Sequence, residues 1–236
     1  MRPKPVSLLT TARTAVAKRT PGPSVAVVRI QSVRSDTARL EAFSDGVFAI
    51  AITLLIIEVH VPAREHAETL GHELLRIWPS YLGYLTSFLT IGVMWINHHY
   101  VFELIDRVDR TMLLLNTLLL MLIAFVPFPT AVLAQFVETG GARAAAVLYG
   151  ATLTLTAITY FAWWRYASAG RRLIGDEVPD EVIEDITRAY TPGVLLYGGA
   201  ALVAFLQPWV SAALYLGIAV FYALPLAQWR ARLARS

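Results

Sequence analysis

Between Arg188 and Arg230 runs the stretch AYTPGVLLYGGAALVAFLQPWVSAALYLGIAVFYALPLAQW (189–229), 41 residues in succession without an Asp, Glu, Lys, Arg or His. A helix lying on the surface of a water-soluble protein shows a charged or polar stripe, and this stretch has no charge anywhere around it. At about 1.5 Å per residue it measures roughly 60 Å, enough to cross a hydrocarbon layer of about 30 Å twice. It divides most naturally at Gln207-Pro208-Trp209, because proline ends or kinks a helix and Trp and Gln suit a membrane interface. Two spans follow, about 191–206 and 209–226. Their small residues, Gly198, Gly199, Ala200, Ala201, Gly217 and Ala219, allow close helix contact.

Working outward, apolar runs of membrane length recur at about 40–59, 78–96, 112–134 and 144–164. The expected fold class is an all-α membrane protein of six transmembrane helices. The composition agrees: 56% of the 236 residues are hydrophobic and 16% charged, and the mean hydropathy is +0.55. That balance excludes collagenous, disordered and disulfide-rich classes. With no cysteine in the chain, thiol nucleophiles and Cys-ligated metals are excluded too.

The charges orient the spans. Eight Lys and Arg precede the first span, Arg107 and Arg110 lie between spans two and three, four Arg lie between spans four and five, and Arg230, Arg232 and Arg235 close the chain. Only Arg64, Arg76 and Arg143 lie on the other side. Seventeen against three predicts cytoplasmic N- and C-termini in a multi-pass cell-membrane protein, the inner membrane if the source is bacterial. The net charge of +3 and pI near 9.3 therefore record topology and do not indicate a nucleic-acid partner.

Residues 1–35 are expected to form a flexible basic cytoplasmic tail, residues 36–230 the membrane domain and residues 231–236 a short cytoplasmic tail. Asp176, Glu177, Asp180, Glu181, Glu184 and Asp185, interleaved with Val178, Val182, Ile183 and Ile186, predict a short amphipathic helix on the cytoplasmic surface. Pro127 and Pro129 predict a kink at the outer end of span three.

An ionisable residue inside a span marks a candidate site, since it costs at least about 2.5 kcal/mol at mid-membrane unless paired or hydrated. The first span, Arg39-Leu-Glu-Ala-Phe-Ser-Asp-Gly-Val-Phe-Ala-Ile-Ala-Ile-Thr-Leu-Leu-Ile-Ile-Glu58, places Asp45 one to two turns inside the cytoplasmic boundary. Arg39 is about 9 Å away along the axis and about 120° around it, so the partner of Asp45 is expected on another helix. Asn97, His98, His99 and Asn116 lie at matching depth. On a helical projection Gly46, Ile50, Thr53 and Ile57 share one narrow face, with Leu54 at its edge. Such a stripe can face lipid, pack against protein or line a pore, and spacing does not choose among these.

Arg39-x-x-x-Phe43-Ser44-Asp45 at the start of a first membrane span resembles the signature of the transmembrane protein 175 family, the endolysosomal potassium channels and their bacterial homologues. The following Gly-Val-Phe-Ala-Ile-Ala-Ile-Thr-Leu-Leu resembles the bacterial branch. The resemblance implies a cation channel whose pore is lined by the first helix of each subunit, permeable to potassium and other monovalent cations, and without the Thr-Val-Gly-Tyr-Gly filter of ordinary potassium channels. It carries a bulky aliphatic constriction over to Ile50, a threonine ring to Thr53, and further apolar rings to Leu54 and Ile57. Because the Phe-Ser-Asp signature occurs once, the resemblance implies a single repeat assembled as a homotetramer. Arg39, Phe43, Ser44, Asp45, Asn97 and His98 then become a signature and interhelical network rather than ion ligands. Four Ile50 side chains around an axis would hold back ions by dewetting, four Thr53 hydroxyls would replace lost hydration water, and modest potassium over sodium preference should result. Outside, Glu58, Glu65, Glu68 and Glu73 against Arg64 and Arg76 give a net negative entrance.

No hydrolase, Walker or dinucleotide motif accompanies these features. No enzyme activity, cofactor or metal site is expected: His60, His66 and His72 recur in a loop without metal-ligand spacing, and the adjacent His98 and His99 point to different faces of one helix. Trp95, Trp163, Trp164, Trp209 and Trp229 read as an interfacial belt. The competing reading is a secondary transporter with Asp45 as its coupled proton or cation site.

Overall fold

Apolar segments of this length have one simple way to satisfy their backbone in lipid, which is to coil, and the computed structural model follows it throughout. It describes residues 25–63 and 69–224, with side chains from Thr37 onward. Among the described residues the chain forms α1 (Val25–Leu54), α2 (Leu70–Arg76), α3 (Trp78–Leu104), α4 (Arg110–Phe125), α5 (Pro127–Phe136), α6 (Ala142–Ser168), α7 (Asp180–Ala204) and α8 (Pro208–Ala223). A 3-10 turn, Leu55–Glu58, extends α1. Among the described residues three segments are long and apolar enough to cross a membrane: Thr37–Glu58, Arg110–Phe136 and Ala142–Arg171. The helices α3 and α7 have 27 and 25 residues but are diluted by polar residues, Asn97 to His99 in α3 and Asp180 to Arg188 in α7. The helix α8 is apolar and shorter, with 16 residues.

Local chemistry sets the boundaries. Asp109 caps α4 by accepting from the Met112 amide at 2.8 Å, and Pro127 and Pro208 occupy the first turns of α5 and α8, where a missing N–H costs nothing. The α4–α5 break at Val126 lies at the expected proline pair.

Two segments differ from the sequence-based expectation. The acidic segment expected as a separate surface helix is, from Asp180 onward, the first turns of α7, which runs unbroken through Pro192. Asp180 and Glu181 suit its N-terminal dipole, and Val182, Ile183 and Ile186 pack on the core. At the other end, α1 begins at Val25, within the segment expected as tail. Pro21-Gly22-Pro23 are the last helix breakers before Gly46, so nothing local stops the helix earlier. Residues 1–24 and 231–236 lie outside the described residues.

The helix α1 packs on α3 and α4, and α6 lies against α4, α5, α7 and α8. The core is filled by large side chains without access to solvent, among them Phe48, Met112, Tyr149, Leu153, Trp163, Trp164 and Tyr215. Among the described glycines the least space is left at Gly150. A methyl group there would lie 1.9 Å from Tyr215 Oη and 2.8 Å from Ala201 Cβ, so glycine is the only residue that fits between α6, α7 and α8. Where α3 ends and α4 begins, the chain is clasped to the α6–α7 connection. Asp106 N donates to Leu173 O at 3.0 Å and Gly175 N to Leu104 O at 3.1 Å, while Arg171 donates to the carbonyls of Gly175 and Val178.

Candidate functional site

The helix α1 has two faces of opposite character. One carries Ser44, Phe48, Ala51 and Leu55 at spacings of four, three and four, all buried against the bundle. The other carries Phe43, Ile50, Thr53, Leu54 and Ile57, and the rest of the described residues leave it largely uncovered. Ile50 keeps 61% of its surface exposed and Ile57 67%. The Thr53 hydroxyl is 2.9 Å from the carbonyl oxygens of both Ala49 and Ile50. Its proton is directed back into the helix, and its lone pairs face outward.

The buried face is held by a chain of hydrogen bonds through three helices. Ser44 Oγ donates to Leu40 O at 2.9 Å, so it can only accept from Asn116 Nδ2 of α4, also at 2.9 Å. Asn116 Oδ1 is thereby left as the acceptor for His98 Nε2 of α3, again at 2.9 Å. Each bond fixes the next, and the sequence assigns the His98 proton to Nε2. The imidazole is stacked on Trp163 at 5.0 Å and flanked by Phe102 at 4.7 Å and Phe48 at 5.2 Å. Its Nδ1 is buried without a partner among the described residues.

Beside this chain lies a second layer nearer the surface. Asp45 Oδ1 accepts from Trp95 Nε1 at 2.9 Å, and Glu41 Oε1 lies 2.9 Å from His99 Nδ1. Trp95 and His99 are themselves stacked, with ring centroids 6.1 Å apart.

The expected site residues therefore separate into groups. Ser44, Asn116 and His98 come together. Asp45 accepts its hydrogen bond from Trp95, a residue expected in the interfacial belt, and not from Asn97, His98, His99 or Asn116. Asn97 instead lines a cavity between α3, α6, α7 and α8 with Thr90, Met94, Tyr190 and Tyr222. Arg39 is exposed and has no partner among the described residues, and Phe43 is 60% exposed. Glu73 pairs with Arg76 at 3.6 Å, whereas Arg64, Glu65 and Glu68 lie outside the described residues.

Residues 39–127 match the family described as endosomal/lysosomal potassium channel TMEM175, a segment that opens on Arg39 and holds every residue of both layers except Trp163. A potassium channel of Chamaesiphon minutus is 44% identical over 193 residues, which are 81% of this chain and 95% of that protein. The chain belongs to the TMEM175 family. Its fold also resembles the crystal structure of a lysosomal potassium-selective channel TMEM175 homologue from the same organism, with a TM-score of 0.73 and 43% identity over 80% of this chain and 97% of the other. The endosomal/lysosomal proton channel TMEM175 of Gallus gallus is 38% identical over 55% of this chain and 28% of its own length. TMEM175 proteins are ion channels and not enzymes, in agreement with the missing catalytic motifs.

Proposed function

We propose that this TMEM175 chain is the subunit of a homotetrameric, potassium-permeable cation channel of the cell membrane, with α1 from each copy lining the pore. The observation that carries the reading is the uncovered face of α1. Large aliphatic side chains are left exposed by the described residues of their own subunit, on the helix that bears the family signature, and one such helix cannot enclose a bore. Six crossings, made by α1, α3, α4 with α5, α6, α7 and α8, put both termini in the cytoplasm and the excess of Lys and Arg with them.

In this reading four Ile50 side chains form the narrowest ring and block ions by dewetting until the ring widens, with Leu54 and Ile57 as further apolar rings. The Thr53 hydroxyls, their protons already donated inside the helix, offer only lone pairs to a passing cation. They can replace hydration water without a fixed charge, so a bound ion also leaves. Such a ring favours potassium over sodium only moderately. No cofactor enters this mechanism, and the permeant ion is its only ligand.

Recording from the purified protein in planar bilayers tests the reading. Discrete unitary currents carried by potassium are expected. Flux without unitary steps would favour a carrier that uses Asp45 as its coupled site.

A further inference from the structure

Glu41 and Asp45 stand one turn apart on α1, and His99 of α3 faces them both. The atoms that these three side chains could offer to a cation all lie within 4.8 Å of one another. We propose that Glu41, Asp45 and His99 form a binding site for a divalent transition-metal cation of the zinc class, one per chain, bridging α1 and α3. The binding step stands apart from the channel reading; only its consequence for the pore rests on it.

The chemistry of the set is specific. Zinc held by nitrogen and oxygen at about 2.0–2.2 Å in tetrahedral geometry spaces its ligands about 3.3 Å apart. His99 Nδ1 and Glu41 Oε1 are already 2.9 Å apart, so an ion enters between them with a shift of a few tenths of an ångström. Asp45 closes the remaining distance by a change of side-chain torsion. Two carboxylates neutralise the charge of a divalent ion. The imidazole selects a transition metal over calcium or magnesium, which prefer six or more oxygen ligands.

A fourth residue supports the assignment from outside the trio. Glu103 Oε1 lies 3.9 Å from His99 Nε2, the ring nitrogen directed away from Glu41. That distance is longer than a hydrogen bond, but a small torsional change would bring the carboxylate onto Nε2, where a carboxylate behind a ligating histidine fixes its tautomer and raises its basicity. Trp95 steadies two ligands at once, stacking on His99 and donating to Asp45 Oδ1, which leaves the second Asp45 oxygen for the ion. The His99 side chain keeps 49% of its surface and Glu41 25%, so water reaches the site and can fill a fourth coordination position. An occupied site would pin α1 to α3 five residues before Ile50.

Isothermal titration of the full-length protein in detergent with zinc chloride is expected to give one site per chain. His99→Gln and Glu41→Gln should each weaken binding at least about tenfold, and Glu103→Gln by about tenfold. The combined variant His60→Gln, His66→Gln, His72→Gln should bind as the parent does, and magnesium or calcium at equal concentration should not compete. Zinc binding that survives both His99→Gln and Glu41→Gln, or that vanishes in the loop-histidine variant, would overturn the proposal. Equal competition by calcium would reduce the cluster to an acidic surface and overturn it as well. Metal-free melting curves guard the comparison: the Glu103 side chain is 60% exposed, so its variant remains decisive if His99→Gln or Glu41→Gln proves unstable.

Discussion

Asn116 on α4 donates to Ser44 on α1 across 2.9 Å, between residues 72 positions apart in the chain. Because Ser44 spends its own proton on Leu40 O, Asn116 can be oriented only one way, and its carbonyl oxygen is committed to His98. One amide thus joins three helices. Asn116→Leu should cost about 1–2 kcal/mol by stranding the His98 N–H, and Ser44→Ala somewhat less. The double variant should fall short of the sum, because both remove the same bond. Thermal unfolding of the four proteins in detergent measures all of these terms.

Ile50→Asn should raise potassium conductance several-fold by wetting the proposed constriction. Single-channel recording of a correctly assembled variant is the check, and unchanged conductance would remove Ile50 from the gate.

Thr53→Val keeps the side-chain shape and removes the oxygen. The preference for potassium over sodium should fall, and a twofold fall moves a bi-ionic reversal potential by about 18 mV. A reversal potential that does not move would count against the threonine ring.

Gly150→Ala should destabilise the bundle by about 1–3 kcal/mol, since its methyl group would overlap Tyr215 Oη and Ala201. Tyr215 also donates to Ala146 O at 3.3 Å, so it cannot simply swing aside. Ala201→Gly, which clears only one of the two obstacles, should not restore the parent melting temperature.

Asp109 lies outside the proposed spans. Desolvation works to raise its carboxyl pKa, but the hydrogen bond from Tyr166 Oη, the amides of Met112 and Thr111 and the charge of Arg172 outweigh it, and the group is held below the ordinary carboxylate value. A lowered folded-state value means that its contribution to stability is complete above the ordinary value and is lost as pH falls through the lowered one. Asp109→Ala should cost about 1 kcal/mol at neutral pH. Melting temperatures of parent and variant should converge as the buffer is acidified through that range.

Much of this arrangement is written in local patterns. The all-helical class, the break at Pro127 and the separation of α7 from α8 at Pro208 follow from hydropathy and from proline chemistry alone. Half of the site is legible as well. Glu41, Ser44 and Asp45 stand at i, i+3 and i+4 on α1, and Trp95, His98 and His99 repeat that spacing on α3. Two polar triads of this kind on neighbouring apolar helices are candidates to meet. What spacing does not hold is the relative rotation and depth of two helices. For that reason Asp45 finds Trp95 rather than an Asn or His at similar depth, and Trp95 reads as an interfacial residue until its indole is seen against α1. The early start of α1 was hidden for a different reason: basic and β-branched residues suggest a tail, yet nothing between Pro23 and Gly46 breaks a helix.

The two layers of hydrogen bonds grip α1 at residues 41–45, close to one end of its exposed stripe. Ile50 lies five residues beyond the grip, a lever arm of about 7.5 Å, and Ile57 twelve residues beyond, about 18 Å. A tilt of about 10° about the grip therefore carries Ile50 sideways by only about 1.3 Å and Ile57 by about 3 Å. In the proposed pore, such a tilt would displace the Ile57 ring about twice as far as the Ile50 ring.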